Sequence, residues 1–287
     1  MTSKSFGPVP KLGHNQPELL PDGRYRARTK SFVRRGNRMA VSLQNTWDEH
    51  ASQFVLDVER TEGVTSVAPG MLDLEVVFGR VAPLIVEVGT GTGDQIVAAA
   101  DEHPENNYLG LEVWRPGIAK TVSKAVAAGV NNLRIIEADA VGVLRDLLPE
   151  HCATEVWTFY PDPWRKARHH KRRLVQQPFA ELVARALIPG GTWRLATDWD
   201  DYAWWMRDVV EAAPQFTNPH AGERPDPSDP EPERGGFAPR FEGRVRTRFE
   251  NRGLRAGRTL HDLRVISTAQ GDAPAPNADA PGEGGTC

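Results

Sequence analysis

The fold is decided by the stretch "LIVEVGTGTGDQIVAAADEH", residues 84–103. Its first five residues form an apolar run interrupted only by Glu87, which is typical of a parallel strand buried on both faces. Gly89, Gly91 and Gly93 follow at alternate positions, where glycine lets the backbone turn sharply and approach a ligand closely. The residues after Gly93 have the apolar spacing of a helix. The stretch therefore predicts a strand, a tight turn and a helix.

Short apolar strands and helical segments alternate from this stretch to Ser267. Strands are predicted at 84–88, 107–113, 133–139, 155–160, 189–198 and 261–267. Helices are predicted at 93–103, 116–129, 140–148, 173–187 and 201–213, with Pro178 kinking or restarting the fourth. This alternation indicates a parallel sheet covered by helices, in one α/β domain that spans residues 31–268.

The remaining segments differ in composition from this domain. Residues 1–30 and 269–287 cannot bury enough apolar surface to order themselves, which predicts disorder. The Pro- and charge-rich stretch 218–238 predicts a mobile loop. No apolar run approaches a membrane span, and no apolar leader begins the sequence. The two cysteines exclude a disulfide framework and a cysteine-rich zinc site. Together these features predict a cytoplasmic protein that has neither a metal site nor a membrane anchor.

The charged residues are distributed unevenly. The formal net charge is only −3, yet basic residues concentrate in three clusters, at 24–38, 165–173 and 244–258, while acidic residues concentrate at 223–234. A single basic cluster is commonly a solvated face. Three such clusters in an otherwise acidic chain favour a polyanionic partner.

Carboxylates stand at the ends of the first three predicted strands, at Glu87, Glu112 and Asp139. The glycine spacing is G-x-G-x-G and not the G-x-G-x-x-G of dinucleotide enzymes. A carboxylate beside the turn would repel a pyrophosphate, but it suits the cationic amino-acid end of S-adenosylmethionine, while later carboxylates can accept from ribose hydroxyls and an adenine amine. The series favours S-adenosylmethionine over NAD as the cofactor. An ordinary strand–helix turn is the alternative.

The fourth strand delivers Asp162, which is held between Pro161 and Pro163. Rigid flanks suit a positioned functional group, although a simple turn capped by aspartate is the alternative. Trp164 is expected to form an apolar wall or to stack on a base. His169 and His170 lack a third ligand at the usual spacing, so they are interpreted as RNA contacts or helix surface and not as a metal site. Trp204 and Trp205 are expected to pack in the core, because they lie in an apolar helical period.

Six segments carry a resemblance to a known family. They are "EVGTGTG", "GLEVWRPGI", "NLRIIEADAVGVL", "YPDPWRKARHHKRR", "ATDWDDY" and "RTRFENRG". In this order, and over about residues 31–266, they resemble the bacterial tRNA (guanine-N7)-methyltransferases. The resemblance implies a Rossmann-like class I methyltransferase with a mostly parallel seven-stranded sheet and helices on both faces. The chain departs from the family at Tyr160, where Phe is usual, and in a longer loop at 221–236.

The resemblance also implies an activity and its residues. The family methylates N7 of a variable-loop guanine (position 46) in tRNA, with S-adenosyl-L-methionine as the methyl donor. Asp162 matches the catalytic position, and the cofactor-side positions are matched by Glu87, Gly89, Gly91, Gly93, Glu112, Asp139 and Asp162. Substrate-binding positions are matched by Lys166, Asp198, Thr247, Arg248, Phe249 and Glu250.

The chemistry of N7 methylation agrees with these assignments. N7 carries a lone pair and no proton, so Asp162 is expected to orient the base and support its new positive charge, and not to act as a general base. The target loop must be held through its phosphates. The expected RNA-phosphate contacts are Arg165, Arg168, Lys171, Arg172, Arg173, Arg34 and Arg35.

Three other functions fit parts of the sequence. A methyltransferase for a small molecule or a protein would explain the carboxylates but leave the basic clusters unused. A non-catalytic RNA-binding protein with the same fold would leave the carboxylates unused, and an NAD-linked oxidoreductase fits least. For the oligomeric state, both a monomer and a homodimer are compatible with the sequence.

Overall fold

The computed structural model describes residues 18–19, 25–26, 30, 32, 36, 38–61 and 65–268. Most of the predicted lead-in 1–30 and the whole predicted tail 269–287 lie outside the described residues. Within the lead-in, strands β1 (Glu18–Leu19) and β2 (Tyr25–Arg26) pair in antiparallel fashion.

The centre of the molecule is a seven-stranded sheet. Its strands are β3 (Leu84–Val88), β4 (Asn107–Glu112), β5 (Leu133–Glu137), β6 (Ala153–Phe159), β7 (Leu187–Thr197), β8 (Phe216–Thr217) and β9 (His261–Ser267). They lie in the order β5-β4-β3-β6-β7-β9-β8. The five strands from β5 to β7 in this order are parallel, and β9 runs antiparallel to both of its neighbours. The predicted mostly parallel seven-stranded sheet is therefore confirmed.

Helices cover both faces of this sheet, as predicted. They are α1 (Val41–Phe54), α2 (Leu74–Phe78), α3 (Asp94–Glu102), α4 (Arg115–Ala128), α5 (Ala140–Asp146), α6 (Gln177–Ala186), α7 (Asp200–Ala212) and α8 (Arg248–Arg255). Residues of α1, α3 and α4 form the core on one face, and residues of α5, α6 and α7 form the core on the other. Trp204 and Trp205 are partly buried against the second core, as their apolar period predicts. No helix in the described part of the chain is long and apolar enough to span a membrane.

One predicted helix begins later than expected. The prediction of a helix over 173–187 is wrong at its start, because α6 begins at Gln177 and Pro178 occupies its first turn. Proline is favoured there, since the first-turn N–H groups have no partner within the helix. Pro178 therefore starts the helix and does not kink it.

The Pro-rich segment 218–238, whose mobility stays a prediction, forms ion pairs with α7. Arg207 and Asp229 are both buried and form an ion pair. Arg234 pairs with Glu211 of α7 at 2.6 Å. A buried charge is stable in a protein only when it is paired and hydrogen-bonded, so separating Asp229 from Arg207 should cost free energy.

The first edge of the sheet is covered by the chain that follows α1. Val55 pairs with Ile135 of β5 as an isolated parallel bridge, and the Leu56 N–H donates to the Ile135 carbonyl at 2.9 Å. At the opposite edge lies β8, which is only two residues long. Among the described residues, β5 is thus bridged at Ile135, and β8 pairs with Ile266 and Ser267 of β9.

Candidate active site

A cavity of about 730 Å³ opens at the carboxyl ends of β3, β4 and β6. The four predicted carboxylates, Glu87, Glu112, Asp139 and Asp162, all line it. Open parallel sheets bind ligands in the crevice at this end of their strands. The structure thus brings together side chains that are up to 75 positions apart in the sequence.

The glycine turn forms one wall of the cavity. Gly89, Gly91 and Gly93 have φ angles of 80°, 59° and 73°, in the left-handed region that favours glycine. Gly93 is also the residue that precedes α3, and a Cβ atom at this position would overlap the side chain of Thr121 in α4. Glycine is therefore required at Gly93 both by the backbone conformation and by the close approach of α4.

Glu87 is buried in the wall, with no counter-charge among the described residues. Glu87 is only 4% exposed, and its Oε2 atom has no hydrogen-bond partner among the described residues. Burial, together with the charges of Glu112 and Asp94, raises the pKa of the Glu87 carboxyl from 4.5 to about 8. A cationic group placed beside Glu87 would satisfy its open oxygen and favour its ionised form.

Glu112 and Asp139 are held in fixed orientations by backbone amides. The Oε2 atom of Glu112 accepts from Gly91 N at 2.7 Å, and its Oε1 atom accepts from Val113 N at 2.7 Å and Trp114 N at 3.0 Å. Asp139 is the N-cap of α5 and accepts from its second backbone amide at 3.2 Å. Carboxylates fixed in this way present ready acceptors to hydroxyl and amino groups of a ligand.

Asp162 lies at the tip of a strained turn after β6. Tyr160 lies two residues before Asp162 and Trp164 two residues after it, and both have left-handed backbone conformations, with φ angles of 52° and 46°. Such conformations cost about 1–3 kcal/mol each for residues other than glycine and cluster at functional sites. The Arg172 guanidinium stacks on the Trp164 ring, 3.8 Å from its centroid. The turn presents Asp162 as an exposed carboxylate at the cavity.

The basic segment 165–173 continues from this turn and contains a short 3₁₀ helix, Ala167–Arg172. Four of its basic residues are exposed, namely Arg165, Lys166, Arg168 and Lys171. Arg165 stacks over Trp199, 4.4 Å from the ring centroid, and Arg172 donates to the Lys30 carbonyl at 3.3 Å. The exposed members form a cationic surface next to the cavity.

Arg173 does not belong to this surface. It is 1% exposed, it pairs with Asp201 of α7, and its Nε donates to the Pro163 carbonyl at 3.1 Å. The prediction that Arg173 contacts phosphate is therefore wrong, because its guanidinium fastens the Asp162 turn to α7. Arg34 and Arg35, the other two predicted phosphate contacts, lie outside the described residues.

The histidines of the segment show no arrangement for a metal. His170 lies 3.7 Å from Asp201 and packs edge-on against Trp205. His169 packs edge-on against Trp164. Across the described residues, no group of three or more potential ligands could hold a metal ion.

Helix α8 and the residue before it border the cavity on a further side. Thr247 is the N-cap, and its hydroxyl accepts from Glu250 N at 3.3 Å. Thr247 and Arg248 line the cavity, and their contact with the substrate stays a prediction. The Phe249 side chain lies outside what the structure describes.

Two predicted substrate contacts are occupied by internal ion pairs. Glu250 is fully buried and accepts from Arg240 at 2.7 Å, while Asp198 pairs with Arg258. The expectation of direct contact through the Glu250 carboxylate is corrected, because both of its oxygens face arginines in the protein interior. In this structure Glu250 and Asp198 instead fix the position of α8.

Sequence reasoning missed three cavity residues of α8, which are Asn251, Arg252 and Arg255. The signal was available, since 248, 251, 252 and 255 follow helical spacing. It was hidden inside a basic cluster with no apolar pattern to mark the helix. Gln95 was also missed. Its amide binds the Gly243 carbonyl and the Val245 amide, and so ties the segment before α8 to α3.

Comparisons with known proteins agree with this geometry and confirm the resemblance seen in the motifs. Residues 81–263 match the protein family described as "Putative methyltransferase". The chain is 43% identical over 277 residues to the tRNA (guanine-N(7)-)-methyltransferase of Paenarthrobacter aurescens (strain TC1), an alignment that covers 84% of this chain and 92% of that one. It is 50% identical over 241 residues to the protein of the same name from Cutibacterium acnes (strain DSM 16379 / KPA171202), covering 84% and 83% of the two chains. The chain belongs to the tRNA (guanine-N7)-methyltransferase family.

Proposed function

We propose that this protein transfers the methyl group of S-adenosylmethionine to N7 of a variable-loop guanine, position 46, in tRNA. The observation that carries the proposal is the cavity itself. There, a buried carboxylate with no counter-charge among the described residues and an exposed carboxylate on a strained turn meet beside a cationic surface. The catalytic unit is the domain of residues 31–268, acting in the cytoplasm as a monomer or a homodimer.

The residues of the cavity fit the cofactor. The open Oε2 of Glu87 suits the cationic amino-acid end, Glu112 suits the ribose hydroxyls, and Asp139 suits the adenine amine. When bound, S-adenosylmethionine supplies an electrophilic methyl group on a positively charged sulfur. The glycine turn lets the backbone approach such a ligand closely.

Asp162 acts by position and charge. The N7 atom of guanine has no proton to lose, so the reaction needs no general base, and the product ring carries a new positive charge. An exposed carboxylate on a rigid turn can accept from the polar edge of the base and stabilise that charge. Alignment of the reacting atoms can contribute about 7–11 kcal/mol in well-oriented cases. Arg173 serves this role indirectly, since it fastens the turn to α7.

The exposed residues Arg165, Lys166, Arg168 and Lys171 bind the phosphates of the tRNA around the target loop. Such contacts position the RNA and carry no sequence information. Binding should weaken with salt, with a log–log slope of about −0.7 to −0.9 for each phosphate contacted.

The test is methyl transfer from labelled S-adenosylmethionine to an unmodified tRNA transcript, followed by chemical cleavage at N7-methylguanosine. The expected label is at one variable-loop guanine, and it disappears when that guanine is replaced by 7-deazaguanosine. The variant Asp162→Asn should lose transfer and keep cofactor binding. Asp101→Asn, an exposed carboxylate of α3 that does not line the cavity, is the matched control and should retain both.

Other outcomes would redirect the proposal. Label at a different nucleotide would confirm a tRNA methyltransferase activity but contradict the variable-loop guanine as its target. Cofactor binding without transfer to any tRNA would favour a small molecule or a protein as the methyl acceptor. A bell-shaped pH–rate profile centred near neutrality would contradict the role of Asp162, because it would indicate a general base.

A further inference from the structure

Helix α8 presents one polar face to the cavity. Arg248, Asn251, Arg252 and Arg255 all line it. Residues at these spacings project from the same side of a helix. This set of four residues is called the α8 face below.

The arginines of the α8 face differ from the other arginines around them. Among the described residues, no hydrogen bond or ion pair is formed by the guanidinium groups of Arg252 and Arg255. Three nearby arginines are instead bound to internal carboxylates, and the pairs are Arg240–Glu250, Arg244–Asp262 and Arg258–Asp198. The chain therefore neutralises the arginines that hold α8 and leaves those that face the cavity available to a ligand.

The α8 face is held rigidly from behind. Glu250, on the buried side of the helix, bonds to Arg240 at 2.7 Å and lies 3.5 Å from Arg244. Gly253 packs so closely that a Cβ atom there would lie 2.8 Å from Asp198 Oδ2. A side chain supported in this way loses less freedom when it binds a ligand than one on a flexible segment.

The charges of the cavity are separated. Glu87, Glu112 and Asp139 lie at the strand ends, whereas Arg252 and Arg255 lie on α8. A cationic ligand is drawn to the strand ends, and an anionic group is repelled from them and attracted to the α8 face. Guanidinium groups match the geometry of phosphate oxygens with two parallel hydrogen bonds.

We propose that Arg252 and Arg255 bind the phosphate next to the target guanosine and so hold that nucleotide in the cavity. This inference rests on the proposed function. A base turned out of its stack carries its phosphate with it to the enzyme. Arg165, Lys166, Arg168 and Lys171 do not line the cavity, so they bind phosphates elsewhere on the tRNA. The enzyme thus has an outer set of phosphate contacts for the tRNA body and an inner pair for the nucleotide that reacts.

The experiment combines a protein variant with a change to one phosphate. Arg252→Gln/Arg255→Gln removes both charges with a residue that favours helix nearly as well. The tRNA is assembled from two ligated halves, with either the natural phosphate or a neutral methylphosphonate beside the target guanosine. Binding affinity and single-turnover transfer are measured for each combination. Arg168→Gln/Lys171→Gln is the matched control from the outer set.

The wild-type protein should bind and methylate the methylphosphonate tRNA about 10- to 100-fold less well than the natural one, since hydrogen bonds between charged groups are lost. The Arg252→Gln/Arg255→Gln variant should show a similar loss on natural tRNA and little further loss on the methylphosphonate. The outer variant should bind both tRNAs more weakly and remain sensitive to the methylphosphonate. Affinity for S-adenosylmethionine should stay within about twofold in both variants.

Three results would overturn the inference. In the first, Arg252→Gln/Arg255→Gln binds and methylates natural tRNA as well as the wild type does. In the second, the losses caused by the variant and by the methylphosphonate multiply. In the third, the affinity of the variant for S-adenosylmethionine falls, which would assign the arginines to the carboxylate of the cofactor. Arg252→Lys/Arg255→Lys, which keeps the charge and loses the paired geometry, should recover part of the binding. If the wild type binds natural tRNA without methylating it, the proposed function fails, while the binding arms still decide whether the pair contacts this phosphate.

Discussion

Replacing Glu87 with glutamine should stabilise the ligand-free protein and weaken its binding of S-adenosylmethionine. Burial, reinforced by the charges of Glu112 and Asp94, raises the pKa of the Glu87 carboxyl to about 8. Its Oε2 atom has no hydrogen-bond partner in the described part of the protein. Glutamine has almost the same shape and is neutral at every pH, so it removes the cost of a buried, unpaired charge.

The sign and the size of the effect follow from the pKa. A carboxyl group with a raised pKa holds its proton more tightly in the folded protein than in the unfolded chain. The free energy of unfolding of the wild type therefore falls by about 1.4 kcal/mol per pH unit as the pH rises from about 4.5 to about 8. At pH 7 the accumulated loss is about 3 kcal/mol. The Glu87→Gln variant should escape this loss, so the difference between the two proteins should grow with pH and level off above pH 8.

Urea unfolding of both proteins at several pH values between 5 and 8.5 measures this difference directly. Glu137→Gln is a matched control, because Glu137 is also buried at a strand end but is paired with Arg115 at 2.8 Å. That variant should lose stability. Calorimetry in buffers of different ionisation enthalpy should show the wild type releasing about one proton on binding the cofactor at pH 7. A Glu87→Gln variant no more stable than the wild type at pH 8 would refute the reasoning.

Three further changes give separate tests. Tyr160→Phe removes a buried hydroxyl without a partner in the described structure, so the free energy of unfolding should rise by about 1 kcal/mol with methyl transfer unchanged; a loss of transfer would show that the hydroxyl contacts the substrate. Asp229→Ala leaves the buried Arg207 guanidinium unpaired, so stability to urea should fall by about 3–5 kcal/mol and proteolysis should begin within 218–238; unchanged proteolysis would mean that the pair does not anchor the loop. Gly93→Ala should cost about 1–3 kcal/mol and weaken cofactor binding, with part recovered by Thr121→Ala, whereas a neutral effect would contradict the steric argument.

The elements that the sequence predicted best are those bounded by strong local signals. β3 and β9 begin and end at the predicted residues, and the apolar run of β3 lies between Pro83 and Gly89. The carboxylates at the strand ends were found for a topological reason, since parallel strands bring their carboxyl ends to one edge. The sequence alone therefore groups Glu87, Glu112 and Asp139.

The parts that could not be predicted depend on partners distant in the sequence. Arg173 looks like its basic neighbours in the sequence, and its burial is set by Asp201, which lies on another helix. The loop containing Asp229 has the composition of a mobile segment, yet Asp229 and Arg234 form ion pairs with Arg207 and Glu211 of α7. Glu250 was assigned to the substrate by its motif, yet Arg240 and Arg244 enclose it. In each case a long-range ion pair decides the role of the residue.

The bridge between Val55 and Ile135 also bears on how the protein stays dispersed while it folds. An exposed edge strand is a template on which other chains can add, which leads to aggregation. Because synthesis proceeds from the N-terminus, α1 and the segment after it leave the ribosome before β5 does, so the residues that cover this edge are already synthesised when the strand emerges. A chain truncated beyond Leu56 would keep every cavity carboxylate and yet expose this edge. We therefore expect residues 55–56 to protect this edge of the sheet from self-association, while α1 itself packs against α4.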